Sequence, residues 1–79
     1  MKAKIYVTLK PGVLDPQGKA VAHSLHDLGF DDVKDVRQGK YLEVELTTSD
    51  KKKARADLED MCKKLLANTV IEDYRIEIE

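Results

Sequence analysis

The sequence predicts an α+β fold of element order βαββαβ, with two helices on one face of a four-stranded antiparallel sheet. Apolar residues alternate with polar ones near both ends of the chain, and again between two stretches that carry apolar residues at helical spacing. Two helices on one face of such a sheet form the ferredoxin-like arrangement. The 79 residues are predicted to form one domain, 1–79.

The first strand and the first helix are predicted from a change in apolar spacing. Residues 3–10 alternate between apolar and polar side chains, which is typical of a half-buried strand. From Asp15 to about Leu28, apolar residues recur at helical spacing instead. Asp15 is a suitable N-cap, because a proline follows it at the first helical position. Gly29 suits the left-handed residue that ends many helices.

The middle of the chain, residues 31–47, is predicted to form two strands. Val33 and Val36 are spaced irregularly for a flat strand, which indicates a bulge or bend between them. Gly39 tolerates a positive φ and therefore predicts a tight turn between the two strands. One long bent strand over the same residues is the alternative interpretation.

The second helix and the last strand show the most regular patterns. Residues 48–50 offer N-caps, Asn68 is a suitable stop, and residues 74–79 alternate as a strand. The apolar stripe predicted for this helix consists of Ala54, Leu58, Met61, Cys62, Leu65 and Leu66.

Composition narrows the range of functions. The 14 Lys and Arg residues nearly balance 15 Asp and Glu, whereas a nucleic-acid-binding domain more often has a basic excess. One cysteine cannot form an internal disulfide, and no stretch approaches the ~20 apolar residues of a membrane span. We therefore expect a cytoplasmic, soluble protein that binds neither nucleic acid nor membrane.

The candidates for catalysis or metal binding have simpler structural interpretations. Cys62 lies on the apolar stripe of the second helix, where a buried small side chain is expected. His23 and His26 are three residues apart, but no third ligand has suitable spacing, so surface histidines are expected. Tyr6 and Tyr41 resemble the base-stacking pair of RNA-binding sheets, but the neighbouring glutamates disfavour that function. We predict no catalytic residue, no metal site and no cofactor bound by this chain.

The connecting segment from Lys10 to Gly18 is the best indication of function. Pro11-Gly12 suits a type II turn, and helix capping explains Asp15 and Pro16. Neither explains Val13-Leu14, two adjacent apolar residues in a stiff loop. Such residues are typical of a surface that another protein covers.

Four segments together resemble the PurS family, the small subunit of phosphoribosylformylglycinamidine synthase in purine biosynthesis. They are Val7–Gly18, Leu28–Phe30, Val36–Lys40 and Cys62–Glu72, in this order and spacing. The resemblance covers essentially the whole chain. One departure is Thr69, where the family usually has proline.

The resemblance implies an assembly subunit without independent catalysis. In the family, a glutaminase subunit releases ammonia, and a synthetase subunit uses ATP and Mg to activate the formyl amide of the substrate. The small subunit forms dimers and joins the other two, supporting ammonia transfer. The alternative is a small ferredoxin-like regulatory domain that binds a metabolite at a dimer interface.

The residues predicted to contact a partner lie in the loop and in a second segment near Gly39. They are Lys10, Gly12, Val13, Leu14, Asp15, Pro16, Gln17, Gly18, Arg37, Gly39 and Lys40.

Overall fold

The computed structural model describes residues 1–79 and contains three strands and two α-helices. The strands are β1 (Lys2–Leu9), β2 (Gly39–Glu45) and β3 (Glu72–Ile78). The helices are α1 (Pro16–Asp27) and α2 (Lys51–Met61), and a π-helical turn over Cys62–Leu66 extends α2. No helix is both long and apolar enough to cross a membrane.

The sheet is antiparallel and has β1 at its centre, in the order β2-β1-β3. Ile5 of β1 lies opposite Leu42 of β2 and Ile76 of β3. All three side chains belong to the inward face that the alternation predicts. The α+β class and the antiparallel sheet are therefore confirmed.

The core forms where α2 and its π-helical extension pack on this inward face. Leu58 and Cys62 are fully buried together with Ile5 and Val7 of the central strand. Asp50 caps α2 as predicted, since its carboxylate accepts hydrogen bonds from the amides of the first turn.

Two details of the predicted fold need correction. Residues 31–38 form no strand, so β2 is the single strand within the stretch expected to hold two. Gly39 has no positive φ and makes no turn, because it already lies in β2. Its Cα instead packs close to β1, where an added Cβ would lie 2.3 Å from the carbonyl oxygen of Val7.

The first helix does not cover the sheet, although two helices on one face were expected. The core cluster contains no residue of α1. The chain measures 48 Å along its longest axis, and its Cα radius of gyration is 16.0 Å. A compact domain of this length has a radius of about 12 Å. Residues 16–38, here called the arm, consist of α1 and the segment that follows it, and they project from the sheet.

Candidate functional site: the loop before the first helix

Residues 10–18, here called the loop, comprise the connection after β1 and the first residues of α1, and they begin with the predicted turn. The amide of Val13 donates to the carbonyl oxygen of Lys10 at 3.1 Å, and Gly12 has a φ of 91°. That value lies in the left-handed region which the third position of a type II turn requires. The Lys10 amide also donates to Ile71 O at 2.8 Å, so the base of the loop is held against the start of β3.

Asp15 joins the loop to the far end of the arm. Its side chain is buried, with one carboxylate oxygen 2.9 Å from the Gly18 amide nitrogen and the other 2.8 Å from that of Gln38. The hydrogen bonds from Gln38 and Gly18 hold the pKa of this carboxyl below its usual value. Asp15 is therefore both the predicted N-cap and a bridge between residues 23 positions apart.

Gly18 permits this bridge because its lack of a side chain leaves room for the backbone of Val36. An added Cβ would lie 2.2 Å from the carbonyl oxygen of Val36. The neighbouring Gln17 adds a side-chain bond, with its Oε1 accepting from Nε2 of Gln38 at 2.8 Å. The start of α1 and residues 36–38 are thus in contact along several residues.

Arg37 closes the base of the loop from the other side. Its Nη2 donates to Leu9 O at 2.7 Å and to Lys10 O at 3.0 Å. Arg37 makes no ion pair within the chain, so its other N–H groups remain available. The structure therefore gives it a role in positioning the loop and leaves donors facing solvent.

Lys40 connects β2 to the end of the π-helical turn. Its Nζ lies 3.2 Å from the carbonyl oxygen of Leu66 and 3.8 Å from the carboxylate of Glu72. The residues predicted to contact a partner are thus brought to one end of the sheet, together with the segment that leads into β3.

The adjacent apolar residues Val13 and Leu14 are not fully buried by any other part of the chain. Leu14 is 68% exposed and Val13 is half-buried. Pro16 lies at the first helical position and is exposed. Local structure therefore accounts for the turn and the cap, as predicted, and leaves Leu14 open to solvent.

A second apolar surface lies at the same end, and it corrects one prediction, because Leu65 was expected on the buried stripe of the second helix and is instead exposed. Leu65 is 83% exposed, Val70 is 80% exposed, and Ile71 is partly exposed. We call these three residues the tip patch. The adjacent pair Val70-Ile71 in a connecting loop is the same signal as Val13-Leu14 and was available in the sequence. The backbone bond from Lys10 to Ile71 joins the segment that carries Val70-Ile71 to the base of the loop that carries Val13-Leu14.

The rejected catalytic candidates have the expected surroundings. Cys62 is buried, and burial raises the pKa of its thiol above the ordinary value. His23 faces Asp27 one turn away at 3.4 Å. No group of three or more histidine, cysteine or acidic side chains converges anywhere in the chain.

The open face of the sheet carries a network of charged and aromatic side chains. The rings of Tyr6 and Tyr41 are 5.1 Å apart, and the guanidinium of Arg75 lies 4.2 Å above the Tyr6 ring. Tyr41 donates to Glu43 at 2.9 Å, and Lys2 pairs with the same carboxylate. The face therefore has an arginine over one ring and a carboxylate beside the other, which disfavours base stacking.

Comparison with known proteins agrees with the resemblance found in the sequence. Residues 2–79 match the family model described as PurS, phosphoribosylformylglycinamidine (FGAM) synthase. The PurS subunit of Bacillus subtilis is 55% identical over 99% of this chain and 92% of its own length. The PurS subunit of Methanocaldococcus jannaschii is 42% identical over 99% of this chain and 94% of its own.

Solved structures extend the likeness to the fold. A crystal structure of B. subtilis PurS superposes with a TM-score of 0.89, covering 99% of this chain and 96% of that one. A structure of PurLQS from Thermotoga maritima contains a chain that is 32% identical, with a TM-score of 0.88. That match covers 96% of this chain and 93% of the other. The protein described here belongs to the PurS family of phosphoribosylformylglycinamidine synthase.

Proposed function

We propose that this chain is the non-catalytic assembly subunit of a phosphoribosylformylglycinamidine synthase, acting in the cytoplasm. It bridges a synthetase and a glutaminase subunit and supports ammonia transfer between them. ATP and Mg belong to the synthetase partner in this proposal, and the substrates are formylglycinamide ribonucleotide and glutamine. Family membership supports this role over the alternative of a metabolite-binding regulatory domain.

The observation that carries the proposal is the exposed apolar surface around the loop of residues 10–18. Leu14 and the tip patch lie at one end of the sheet, and the backbone beneath them is fixed by hydrogen bonds to Asp15, Arg37 and Lys10. A surface already held in place loses little conformational entropy when it binds. Its apolar contacts therefore contribute more fully to affinity.

The charges around this surface favour a partner with acidic or carbonyl groups at the rim. Arg37 retains free N–H donors beside Leu14, and Lys19 lines the same shallow cleft. Interfaces commonly place such polar groups around an apolar centre. We therefore expect the synthetase subunit to contact the loop through an apolar side chain and to accept hydrogen bonds from Arg37.

Reconstitution with the synthetase and glutaminase subunits tests the proposal. The double variant Val13→Ser, Leu14→Ser is expected to lose complex formation in gel filtration and to abolish glutamine-dependent activity, while ammonia-dependent activity of the synthetase persists. Tyr41→Ser, on the open face of the sheet, is the matched control and should assemble normally. Glutamine-dependent activity without this chain, or normal assembly by the double variant, would overturn the proposal.

A further inference from the structure

The buried residues of α2 and its π-helical extension follow a regular spacing that changes once. Ala54, Leu58 and Cys62 are fully buried and lie four positions apart, as residues on one face of an α-helix do. The next buried residue, Ala67, lies five positions after Cys62. Its amide donates to the Cys62 carbonyl oxygen at 2.9 Å, which is the hydrogen bond of a π-helix. The turn therefore holds one residue more than a regular α-helical turn.

The additional residue places Leu65 outside the core. In a regular α-helix Leu66 would take the buried position four residues after Cys62, and Leu65 would directly precede it. Instead Leu66 is half-buried, Ala67 is buried, and Leu65 is 83% exposed. Exposing a leucine forgoes the favourable free energy of burying it. Because single π-helical turns are frequent at functional sites, we interpret this turn as a device that displays Leu65.

Hydrogen bonds hold the other part of the tip patch in place. The Asn68 side chain accepts from the Val70 amide at 3.2 Å, and the Asn68 carbonyl oxygen accepts from the Ile71 amide at 3.0 Å. The Asn68 amide in turn donates to the Glu72 carboxylate at 2.6 Å. A surface fixed in this way loses little conformational entropy when a partner binds it.

The charges beside Leu65 indicate the chemistry of the protein that covers it. Lys63 and Lys64 lie in the same turn, and Lys64 pairs with Asp60 at 2.8 Å. Lys63 forms no ion pair within the chain. A second copy bound to this patch about a two-fold axis would bring the two Lys63 side chains to one interface, where like charges repel. A different protein with a carboxylate at that position fits the patch better.

We propose that Leu65 is an anchor residue, which inserts into an apolar pocket of the synthetase subunit that has a carboxylate facing Lys63. This inference rests on the proposed function and adds a contact outside the residues predicted from the sequence. The bond from Lys10 to Ile71 joins the segment before β3 to the base of the loop. The synthetase subunit is the occupant because the proposed function places it on that loop.

Titration of the full chain into the synthetase and glutaminase subunits tests the anchor, with glutamine-dependent activity as the readout. Leu65→Asp should raise the concentration needed for half-maximal activity at least ~30-fold, as expected when an anchor residue is lost. Lys63→Glu should raise it as well, whereas Lys51→Glu, at the other end of the same helix, is the matched control and should not. All three positions are exposed, so urea titration should show little change in stability.

A variant that lacks Leu65 tests the π-helical turn itself. The deletion leaves Ala67 four positions after Cys62, so a regular α-helix can bury the same residues. Far-ultraviolet circular dichroism should show a folded chain, yet this variant should give no activity at concentrations where the wild type saturates. Wild-type titration curves for both the deletion and Leu65→Asp would refute the anchor.

Photo-crosslinking in the reconstituted complex identifies the occupant. A photoreactive amino acid at position 65 should crosslink to the synthetase subunit, and one at position 41, on the open face of the sheet, is the control. Crosslinks only to the glutaminase or to a second copy would contradict the assignment.

The loop variants separate failure of the anchor from failure of the proposed function. If Leu65→Asp behaves as the wild type while Val13→Ser, Leu14→Ser loses the complex, the anchor is wrong and the assembly role stands. If both assemble normally, the assembly role is wrong as well.

Discussion

Replacing Gly18 with alanine tests how closely the loop and the arm approach each other. Alanine is normally the better helix former by ~1 kcal/mol, so helix propensity alone predicts a stabilised protein. In this structure the new Cβ would lie 2.2 Å from the Val36 carbonyl oxygen and 2.6 Å from the Asp15 carboxylate. Both distances are far below normal contact.

Neither neighbour of the new methyl group can move freely. The Val36 oxygen belongs to the backbone, and hydrogen bonds to Gly18 and Gln38 hold the Asp15 carboxylate. Forcing an extra carbon into packed surroundings costs ~1–3 kcal/mol, which exceeds the gain in helix propensity. We expect a net loss of about 1 kcal/mol, or a Tm lower by ~4–8 °C in a domain of this size.

Thermal denaturation at fixed protein concentration measures this effect, because self-association makes the Tm depend on concentration. Ser24→Ala, at an exposed position of the same helix, is the control and should stay within ~0.5 kcal/mol of the wild type. Amide exchange at Gln38 should also accelerate in Gly18→Ala as its bond to Asp15 lengthens. If Gly18→Ala were as stable as Ser24→Ala, the close approach at Val36 would be refuted.

Three further predictions concern the core and its edge. Leu58→Ala removes a fully buried side chain and should lower the free energy of unfolding by ~2–5 kcal/mol, whereas Leu65→Ala, at an exposed position, should change it little in urea titrations. The hydrogen bond to the Glu59 carboxylate raises the pKa of Tyr74 to about 12. The hydrogen bond that this phenol donates therefore makes its whole contribution to the free energy of unfolding below pH ~10. That contribution is lost as the pH rises through about 12. Ultraviolet titration should show a tyrosine that deprotonates near pH 12, and Glu59→Gln should return that step toward ~10. Burial and the Glu43 carboxylate also raise the pKa of Tyr41, and Glu59→Gln should leave that tyrosine unchanged. Cys62 is buried and its pKa is raised, so a thiol reagent should label it only after denaturation; rapid labelling of the native protein would contradict its burial.

The two ends of α1 could be predicted from the sequence, because they depend on interactions between residues close together in the chain. Asp15 caps α1, and Gly29 has the expected positive φ of 98°. The amides of Gly29 and Phe30 donate back to His26 and Leu25 in the pattern of a Schellman cap. These features depend on residues within one turn of each other, so a single stretch of sequence contains all the information they need.

The position of the arm could not be predicted in the same way. Apolar spacing in α1 predicts a face that prefers burial, but Val21 and Leu28 of that face are exposed in this chain. Their spacing in the sequence would be the same if α1 packed on the sheet, so it does not show that the helix projects from it. Arg37 presents the same difficulty, because its contacts with Leu9 and Lys10 depend on the tertiary arrangement. Its charge alone indicated a partner contact.

The apolar surface formed by Leu14 and the tip patch fits a protein other than a second copy of this chain. The tip patch and Leu14 have complete local structure beneath them, since Lys10 binds Ile71 and Arg37 binds Lys10. No element of the fold is missing there for another copy to supply. A different protein is therefore the better occupant of that end.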